Sequence, residues 1–212
     1  LAVGYRVPAG AHADAAAIDV LAYVLGDTPS GRLHKALVET KKAVSIGSSA
    51  MKLHDPGVLV LQAQLGKEDS LSAARSALLQ SVQETLDKPP TQQEVDRAKA
   101  AYLKQIESTI SGADRLGLSL SNWIGMGDWR LFFLYRDRLK NVTAADVARV
   151  AQQYLKADNR TIGAFIPQAK PDRAEIPATP DVTALVKDYK GDQSLALGEA
   201  FDPSPANIHA RT

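Results

Sequence analysis

Histidine is the first residue type to examine for chemistry, because zinc sites in proteins are built mainly from histidine, cysteine and carboxylate side chains. The chain contains no cysteine and four histidines, which are His12, His34, His54 and His209. None of them has a second histidine or a carboxylate at a spacing that would close a zinc site on one helix face. The residues therefore predict no metal site, and His54, in a predicted turn, is the best placed as an incidental surface ligand.

Nucleophiles and phosphate-binding loops also lack their usual surroundings in this sequence. The candidate serines follow no G-x-S-x-G pattern and read as strand or helix residues: Ser45, Ser48, Ser49, Ser119 and Ser121. The segment Gly125-Met126-Gly127 has the first two glycines of a dinucleotide-binding motif, but it lacks the third and follows a helix. Neither a serine nucleophile nor a phosphate loop is predicted.

Charged pairs have structural explanations as well. Glu94 and Asp96 lie in the first turn of a predicted helix, where the helix dipole favours negative charge. Glu39 with Asp55 is a second possible carboxylate pair, and Lys41-Lys42 complements a predicted helix end. We predict no catalytic and no metal-binding residue in this chain, and the substrate-binding residues remain unassigned.

An aromatic cluster lies between residues 123 and 135. Its members stand at helical spacing, which favours packing in the core over a ligand pocket; they are Trp123, Trp129, Phe132, Phe133 and Tyr135. A buried cluster would support the first interpretation, and an open apolar pocket lined by these rings would support the second.

The elements that position these residues follow from periodicity and from start and stop signals. We predict strands at residues 1–8, 43–51, 57–65 and 160–167, with the middle two forming a hairpin. Helices are predicted at residues 15–25, with Asp14 as N-cap, at residues 32–40, and from residue 69 or 70 to 86. A further helix is predicted after the capping box Thr91–Glu94, and the helical pattern continues towards Trp123. Two more helices are predicted, one after Asp128 and one after Thr143–Asp146. Hairpin strands with grouped helices predict an α+β, two-layer domain whose largely antiparallel sheet has helices on one face.

The chain divides into a folded part and a tail. Residues 1–168 carry the periodic elements, whereas residues 169–212 contain five of the 11 prolines and read as an extended, acidic linker. Residues 171–212 have a net charge of −3 and the remainder +4, which argues against nucleic-acid binding. No run of about 18 apolar residues predicts a membrane span. The start at Leu1, without Met or leader, indicates a piece of a longer protein.

Three segments in this order resemble the insulinase/pitrilysin-type zinc peptidases. They are 30–39 (SGRLHKALVE), 122–129 (NWIGMGDW) and 158–167 (DNRTIGAFIP), and the resemblance extends over about residues 1–170. It implies the LuxS/insulinase-type peptidase-like fold. In that family, repeated α+β domains pair into two halves that enclose an unfolded peptide, and the first domain carries the zinc motif H-x-x-E-H.

The family's functional residues do not carry over to this chain. The helix corresponding to the zinc helix reads Ala17 to Tyr23, with apolar residues where the ligands and base would stand. Glu39 occupies the place of a substrate-contacting arginine, and Ser45 or Ile46 that of a tyrosine. The resemblance implies a non-zinc repeat or a degenerate copy, and residues 199–208, which resemble a connection between halves, favour the second domain of a long bacterial member.

The resemblance implies a non-catalytic structural domain of a zinc metalloendopeptidase, with zinc in the first domain of the parent chain. Its expected partners are that zinc-bearing domain, the opposite half and the parent's peptide substrate, and the isolated domain is expected to self-associate. Two alternatives stay open: a non-proteolytic scaffold subunit of the same fold, and a small-molecule binding module that uses the Trp123–Tyr135 cluster. A periplasmic or exported bacterial protein is favoured, with a cytoplasmic one as alternative.

Overall fold

The computed structural model describes residues 1–191, 202 and 204–211. Contacts divide the chain into two units, Leu1–Ile166 and Pro167–Thr212. The strands of the first unit are β1 (Ala2–Val7), β2 (Ser45–Met51), β3 (Gly57–Gln64) and β4 (Arg160–Gly163). Its helices are α1 (Ala15–Gly26), α2 (Leu71–Asp87), α3 (Gln92–Ile110), α4 (Ala113–Gly125), α5 (Leu131–Asn141) and α6 (Ala144–Tyr154).

The four strands form one sheet in the order β2-β3-β1-β4, and all neighbours are antiparallel. The predicted hairpin is confirmed, because β2 pairs with β3 from Ser45 opposite Gln64 to Met51 opposite Val58. The central strand β1 places Tyr5 between Leu59 and Arg160. The structure is therefore the predicted α+β fold with an antiparallel sheet.

The core lies between the sheet and the helices. Alternate residues of β1 and β3 are buried, among them Val3, Tyr5, Leu59 and Leu61. Helix α1 is apolar nearly all round, as the sequence predicts for a buried helix, and ten of its twelve residues are buried. It packs on β2, α3 and α6, so it is the central helix of the unit.

The opposite side of the sheet is open to solvent, and we call it the open sheet face. Its residues follow from the strand register: Ala2, Gly4, Arg6, Ser45, Gly47, Ser49, Met51, Val58, Val60, Gln62, Gln64, Thr161 and Gly163. Ser49, Gln62 and Gln64 are exposed, and Val58 and Val60 are half-buried. Arg6 is the one charged residue among these strand positions, so the face is nearly uncharged, with polar and apolar side chains that include exposed Met51.

Local signals set most helix starts where the sequence predicts them. The Thr91 side chain accepts from the backbone N–H of Glu94, whose carboxylate accepts in return, and this closes the predicted capping box of α3. Thr143 and Asp146 do the same for α6. Such boxes satisfy backbone donors that the first helical turn leaves unpaired.

The predicted capping role of Asp14 is wrong. Asp14 precedes α1, but its side chain makes no capping hydrogen bond. Its carboxylate instead accepts from Arg149 Nη2 at 2.6 Å and from the Tyr154 hydroxyl at 2.7 Å. The Arg149 guanidinium offers Asp14 a charged partner and Tyr154 offers it a second donor, so α6 draws the Asp14 side chain away from the helix start.

Three predicted elements differ in form or length. Residues His34–Val38 form a π-helical turn instead of an α-helix, with Glu39 N–H donating to the His34 carbonyl. Packing against β2 and α2 overrides the local helical preference there. Strand β4 ends at Gly163, which pairs with Ala2, so it is shorter than the predicted run 160–167. Strand β2 begins at Ser45, two residues later than the predicted start at residue 43, and Val44 just before it is exposed.

Among its described residues, the second unit contains two short helices, α7 (Val182–Val186) and α8 (Pro205–Arg211). Asp181 caps α7 through a hydrogen bond from the Ala184 N–H. Residues 199–201 and 203 of the segment 199–208, which supports the interdomain connection in the sequence argument, lie outside the described residues. That role and the boundary at residue 168 stay predictions. In the part of the chain that the structure describes, no helix has both the length and the apolarity to span a membrane.

Candidate functional site

A buried carboxylate on the central helix organises the candidate site. Asp19 lies in the middle of α1, and its side chain is only 3% exposed. An isolated buried charge is costly, so Asp19 needs partners from other elements. The turn between β2 and β3 and helix α5 supply them.

Lys52 and Tyr135 both bind the same carboxylate oxygen of Asp19. Lys52 Nζ lies 2.5 Å from Oδ2, and the Tyr135 hydroxyl donates to the same atom at 2.5 Å. Lys52 Nζ also lies 4.8 Å from the centre of the Tyr135 ring, a cation–π contact. The Tyr102 hydroxyl donates to the backbone carbonyl of Asp19 at 3.3 Å, so α3 joins the same cluster.

The two tyrosines are held in their neutral form. Burial, followed by the neighbouring Asp19 carboxylate, raises the pKa of Tyr135 far above its usual value. Burial and the same carboxylate also raise the pKa of Tyr102. Because both hydroxyls keep their protons, they act as hydrogen-bond donors to Asp19 and not as bases.

A cavity of about 540 Å³ opens beside this cluster, between α3, α4, α5 and the β2–β3 turn. Apolar side chains that include Ile106, Trp123 and Phe132 line it, together with Lys52. Gln105, Thr109, Ser119 and Asn122 add hydroxyl and amide groups to its wall. The arrangement can bind a small apolar group and orient a polar one, and it pairs no nucleophile with a base.

The aromatic cluster of the sequence divides between core and surface. Trp123, Phe132 and Tyr135 are buried, with the Trp123 ring centre 5.3 Å from that of Tyr135. Trp129 is 47% exposed and packs edge-on against Phe133. The three buried rings belong to the core, as the first interpretation predicts, and they also line the cavity.

The other residues singled out in the sequence are scattered. His12 accepts a hydrogen bond from the Asp14 backbone N–H, and exposed His54 lies 3.3 Å from Asp55. His34 belongs to the π-helical turn and His209 to α8 of the second unit. Among the described residues, no three histidine or acidic side chains come together as a metal-binding group.

Serine and charged candidates take structural positions. Ser45 donates to Gln64 Oε1 at 3.3 Å, and half-buried Ser48 packs against Gly26 of α1 with its Oγ enclosed. Ser49 lies on the open sheet face, Ser119 lines the cavity, and exposed Ser121 lies outside it.

The charged candidates also have structural positions. The Asp96 carboxylate accepts a hydrogen bond from the Gln92 side chain. Glu39 and Lys42 are exposed, and Lys41 follows the π-helical turn with a positive φ of 57°. Gly125 lines the cavity and Gly127 has a positive φ of 131°.

Glu94 is held by an ion pair as well as by its capping box. Arg32 donates from Nε and Nη2 to the two carboxylate oxygens at 2.9 Å each, and from Nη1 to the Lys88 carbonyl. Partial burial raises the pKa of Glu94, but hydrogen bonds from Arg32 and Thr91 outweigh it and lower the pKa to about 2. The pair ties the segment after α1 to the start of α3.

Comparison with known proteins gives the relationship directly. The family model for the peptidase M16 inactive domain matches residues 1–102. The chain is 39% identical to the crystal structure of the inactive peptidase domain of a candidate zinc protease from Bordetella parapertussis, with a TM-score of 0.76 over 82% of this chain and 94% of that one. The chain belongs to the peptidase M16 inactive-domain family. M16 is the family of the insulinase/pitrilysin-type peptidases, so the resemblance read from the sequence is confirmed.

Two further relatives agree with this membership in the M16 inactive-domain family. A candidate zinc protease from Bordetella pertussis is 38% identical, with a TM-score of 0.74 over 79% of this chain and 93% of that one. Zinc protease PqqE from Helicobacter pylori is 28% identical over 166 residues, which are 76% of this chain. The match covers 36% of that protease, so the chain spans about a third of the length of its curated relative.

The residues of this inactive domain do not fit the zinc that the family name implies. A zinc peptidase needs histidine and carboxylate ligands with an open coordination position. Helix α1 offers no histidine, and Lys52 and Tyr135 already bind its one carboxylate, Asp19. We therefore derive no catalytic step through zinc for this chain.

Asp19, Lys52 and Tyr102 are the site residues that the sequence reasoning missed. The signal for Asp19 was present, because a single carboxylate in an otherwise apolar helix demands a buried partner. The partners lie 33 and 116 residues away along the chain, and no local pattern links them to α1.

Proposed function

We propose that this chain is a non-catalytic structural domain of a longer zinc protease. In this role it packs on the zinc-bearing domain of the same parent chain, and its open sheet face forms part of the wall of a chamber that encloses the peptide substrate. Membership in the M16 inactive-domain family and the longer length of the H. pylori relative support a parent chain of this kind.

The open sheet face is the observation that carries the proposal. The sheet has helices on one side only, and apart from Arg6 its other side exposes uncharged side chains, with Val58 and Val60 half-buried. With a single charged side chain, such a surface has few ions that a bound extended peptide would desolvate or that would repel it. It therefore suits a wall that must tolerate many peptide sequences.

The rigidity of the unit supports the same role. Helix α1 is buried on most of its surface, and the Asp19–Lys52 pair fixes the β2–β3 turn against it. Arg32 and Glu94 join the segment after α1 to the α2–α3 turn. A support domain that positions a neighbouring active site needs this kind of fixed framework.

The isolated chain provides the first test. We expect no stoichiometric zinc by elemental analysis after dialysis and no cleavage of an unfolded peptide such as oxidised insulin B chain. Retention of one equivalent of zinc, or proteolysis that a chelator abolishes, would contradict the proposal.

The full parent protein provides the second test. Ser49→Trp places a large ring on the open sheet face and should lower kcat/KM for an unfolded peptide about tenfold, equal to about 1.4 kcal/mol, without changing zinc content. Ser76→Trp, on the exposed side of α2, is the matched control and should leave kcat/KM unchanged. Equal effects of the two variants on kcat/KM would refute the proposal that the open sheet face forms part of the chamber wall.

The scaffold alternative makes a different prediction about the parent chain. A non-proteolytic subunit of the same fold would lack H-x-x-E-H in the coding sequence upstream of Leu1. Reading that sequence decides between the two roles, and a stable complex of this chain with the upstream domain in size-exclusion chromatography tests the packing.

A further inference from the structure

The cavity in the helical layer has the composition of a ligand site. Its floor is apolar and aromatic, and its volume of about 540 Å³ lies in the range of small-molecule sites, roughly 300–1,000 Å³. The aromatic rings of Trp123, Phe132 and Tyr135 are buried side by side there. Ligand pockets of proteins typically combine such a floor with a few fixed polar groups.

The charge at the cavity wall has one sign. Lys52 lines the cavity with 28% of its side chain exposed, whereas its partner Asp19 is buried and does not line it. The described residues that line the cavity include no aspartate and no glutamate. The ion pair therefore presents its positive end to the cavity.

The fixed position of the Lys52 ammonium group also favours the binding of an anion. The ammonium group has three N–H donors, of which the Asp19 carboxylate takes one. The Asp19 bond and the Tyr135 ring hold the group in place, so a ligand that binds it does not have to order a flexible lysine. His54, Asn122 and Gln105 also line the cavity and add polar groups to its wall.

We propose that this cavity binds small carboxylates with an aromatic or branched aliphatic body. The body packs on Trp123 and Phe132, and the carboxylate accepts a charge-assisted hydrogen bond from Lys52. The site lies in the helical layer and not on the open sheet face, so it is independent of the chamber role proposed above.

Three probes with one body and different head groups test the proposal on the full chain. They are 3-phenylpropionate, 3-phenylpropanamide and 3-phenylpropylamine, each titrated at low salt with calorimetry and with amide chemical shifts of residues 52–54 and 122–126. We expect the carboxylate to bind about tenfold more tightly than the amide, and the amine more weakly than both. Equal affinity of the three, or no binding by the carboxylate, would overturn the proposal.

Two variants locate the site. Ser119→Phe fills the cavity from its rim and should weaken 3-phenylpropionate at least about tenfold, while Ser121→Phe, on the same helix outside the cavity, should not. Equal loss in both variants would overturn the assignment.

The head-group preference has its own variant. The double change Lys52→Met with Asp19→Asn removes both charges together and so avoids an unpaired buried carboxylate. It should abolish the preference for carboxylate over amide while the amide still binds. A preference that survives this change would overturn the role of Lys52.

Discussion

Replacing Lys52 by methionine is the sharpest test of the buried cluster. The change keeps an unbranched side chain of similar shape but removes the ammonium group, whose Nζ lies 2.5 Å from the Asp19 carboxylate. Asp19 then keeps the Tyr135 hydroxyl as a donor to the same oxygen but loses its counter-charge.

The magnitude follows from the burial of each partner. Removing one member of a buried ion pair costs about 3–5 kcal/mol when the remaining charge is fully enclosed. Lys52 is 28% exposed and the tyrosine bond persists, so we expect a loss of about 2–3 kcal/mol in the free energy of unfolding. For a domain of this size that corresponds to a fall in Tm of about 5–10 °C.

Urea unfolding at pH 7, followed by circular dichroism, measures the effect. Asp19→Asn alone should cost less, about 1–2 kcal/mol, because Lys52 can turn towards water. The double variant should lose less than the sum of the two single changes, since neither charge is then left alone. Lys104→Met, at an exposed position of α3, is the matched control and should change stability by less than about 0.5 kcal/mol. Strict additivity, or a Lys52 variant as stable as the wild type, would refute the reasoning.

Three further changes test the framework around the site. Arg32→Met should remove about 1–2 kcal/mol of stability at pH 7; because the pKa of Glu94 is lowered to about 2, this contribution is present above about pH 4.5 and is lost as the pH falls towards 2, which urea unfolding from pH 7 to 2 measures. Gly26→Ala should cost about 1–3 kcal/mol in thermal unfolding, since its Cβ would lie 2.6 Å from the Ser48 backbone nitrogen. Thr143→Ala should cost about 1 kcal/mol in urea unfolding through loss of the α6 cap.

Each of these three predictions has a result that would contradict it. An Arg32→Met protein whose stability keeps the wild-type dependence on pH between 4.5 and 2 would show that the ion pair is not what lowers the Glu94 pKa. Gly47→Ala is the control for Gly26, because nothing lies within 4 Å of its Cβ position, and an equal loss there would reject the steric argument. An unchanged Thr143→Ala protein would mean that the box contributes nothing to α6.

The features that the sequence predicts correctly are those whose causes are local. A capping box needs only residues three apart, so Thr91 with Glu94 identifies the start of α3 from the sequence alone. The burial of α1 follows from its continuous apolar composition. The β2–β3 hairpin follows from two apolar runs and the turn between them.

The features that the sequence misses depend on partners far along the chain. Asp14 looks like a cap until α6 brings Arg149, 135 residues later, to its carboxylate. The Asp19–Lys52 pair and the cavity likewise exist only once α1, α5 and the β2–β3 turn have packed together.

The burial of helix α1 bears both on the missing zinc ligands of this domain and on its proposed support role. The resemblance to M16 peptidases places α1 where a zinc-bearing repeat carries its ligands, and such ligands must face an accessible space. Here ten of the twelve α1 residues are buried, and the one carboxylate is bound by Lys52 and Tyr135. The helix therefore stabilises the domain through hydrophobic burial and one enclosed ion pair. Restoring histidines to α1 would place polar groups in a packed core, so we expect it to unfold the domain before it creates a zinc site.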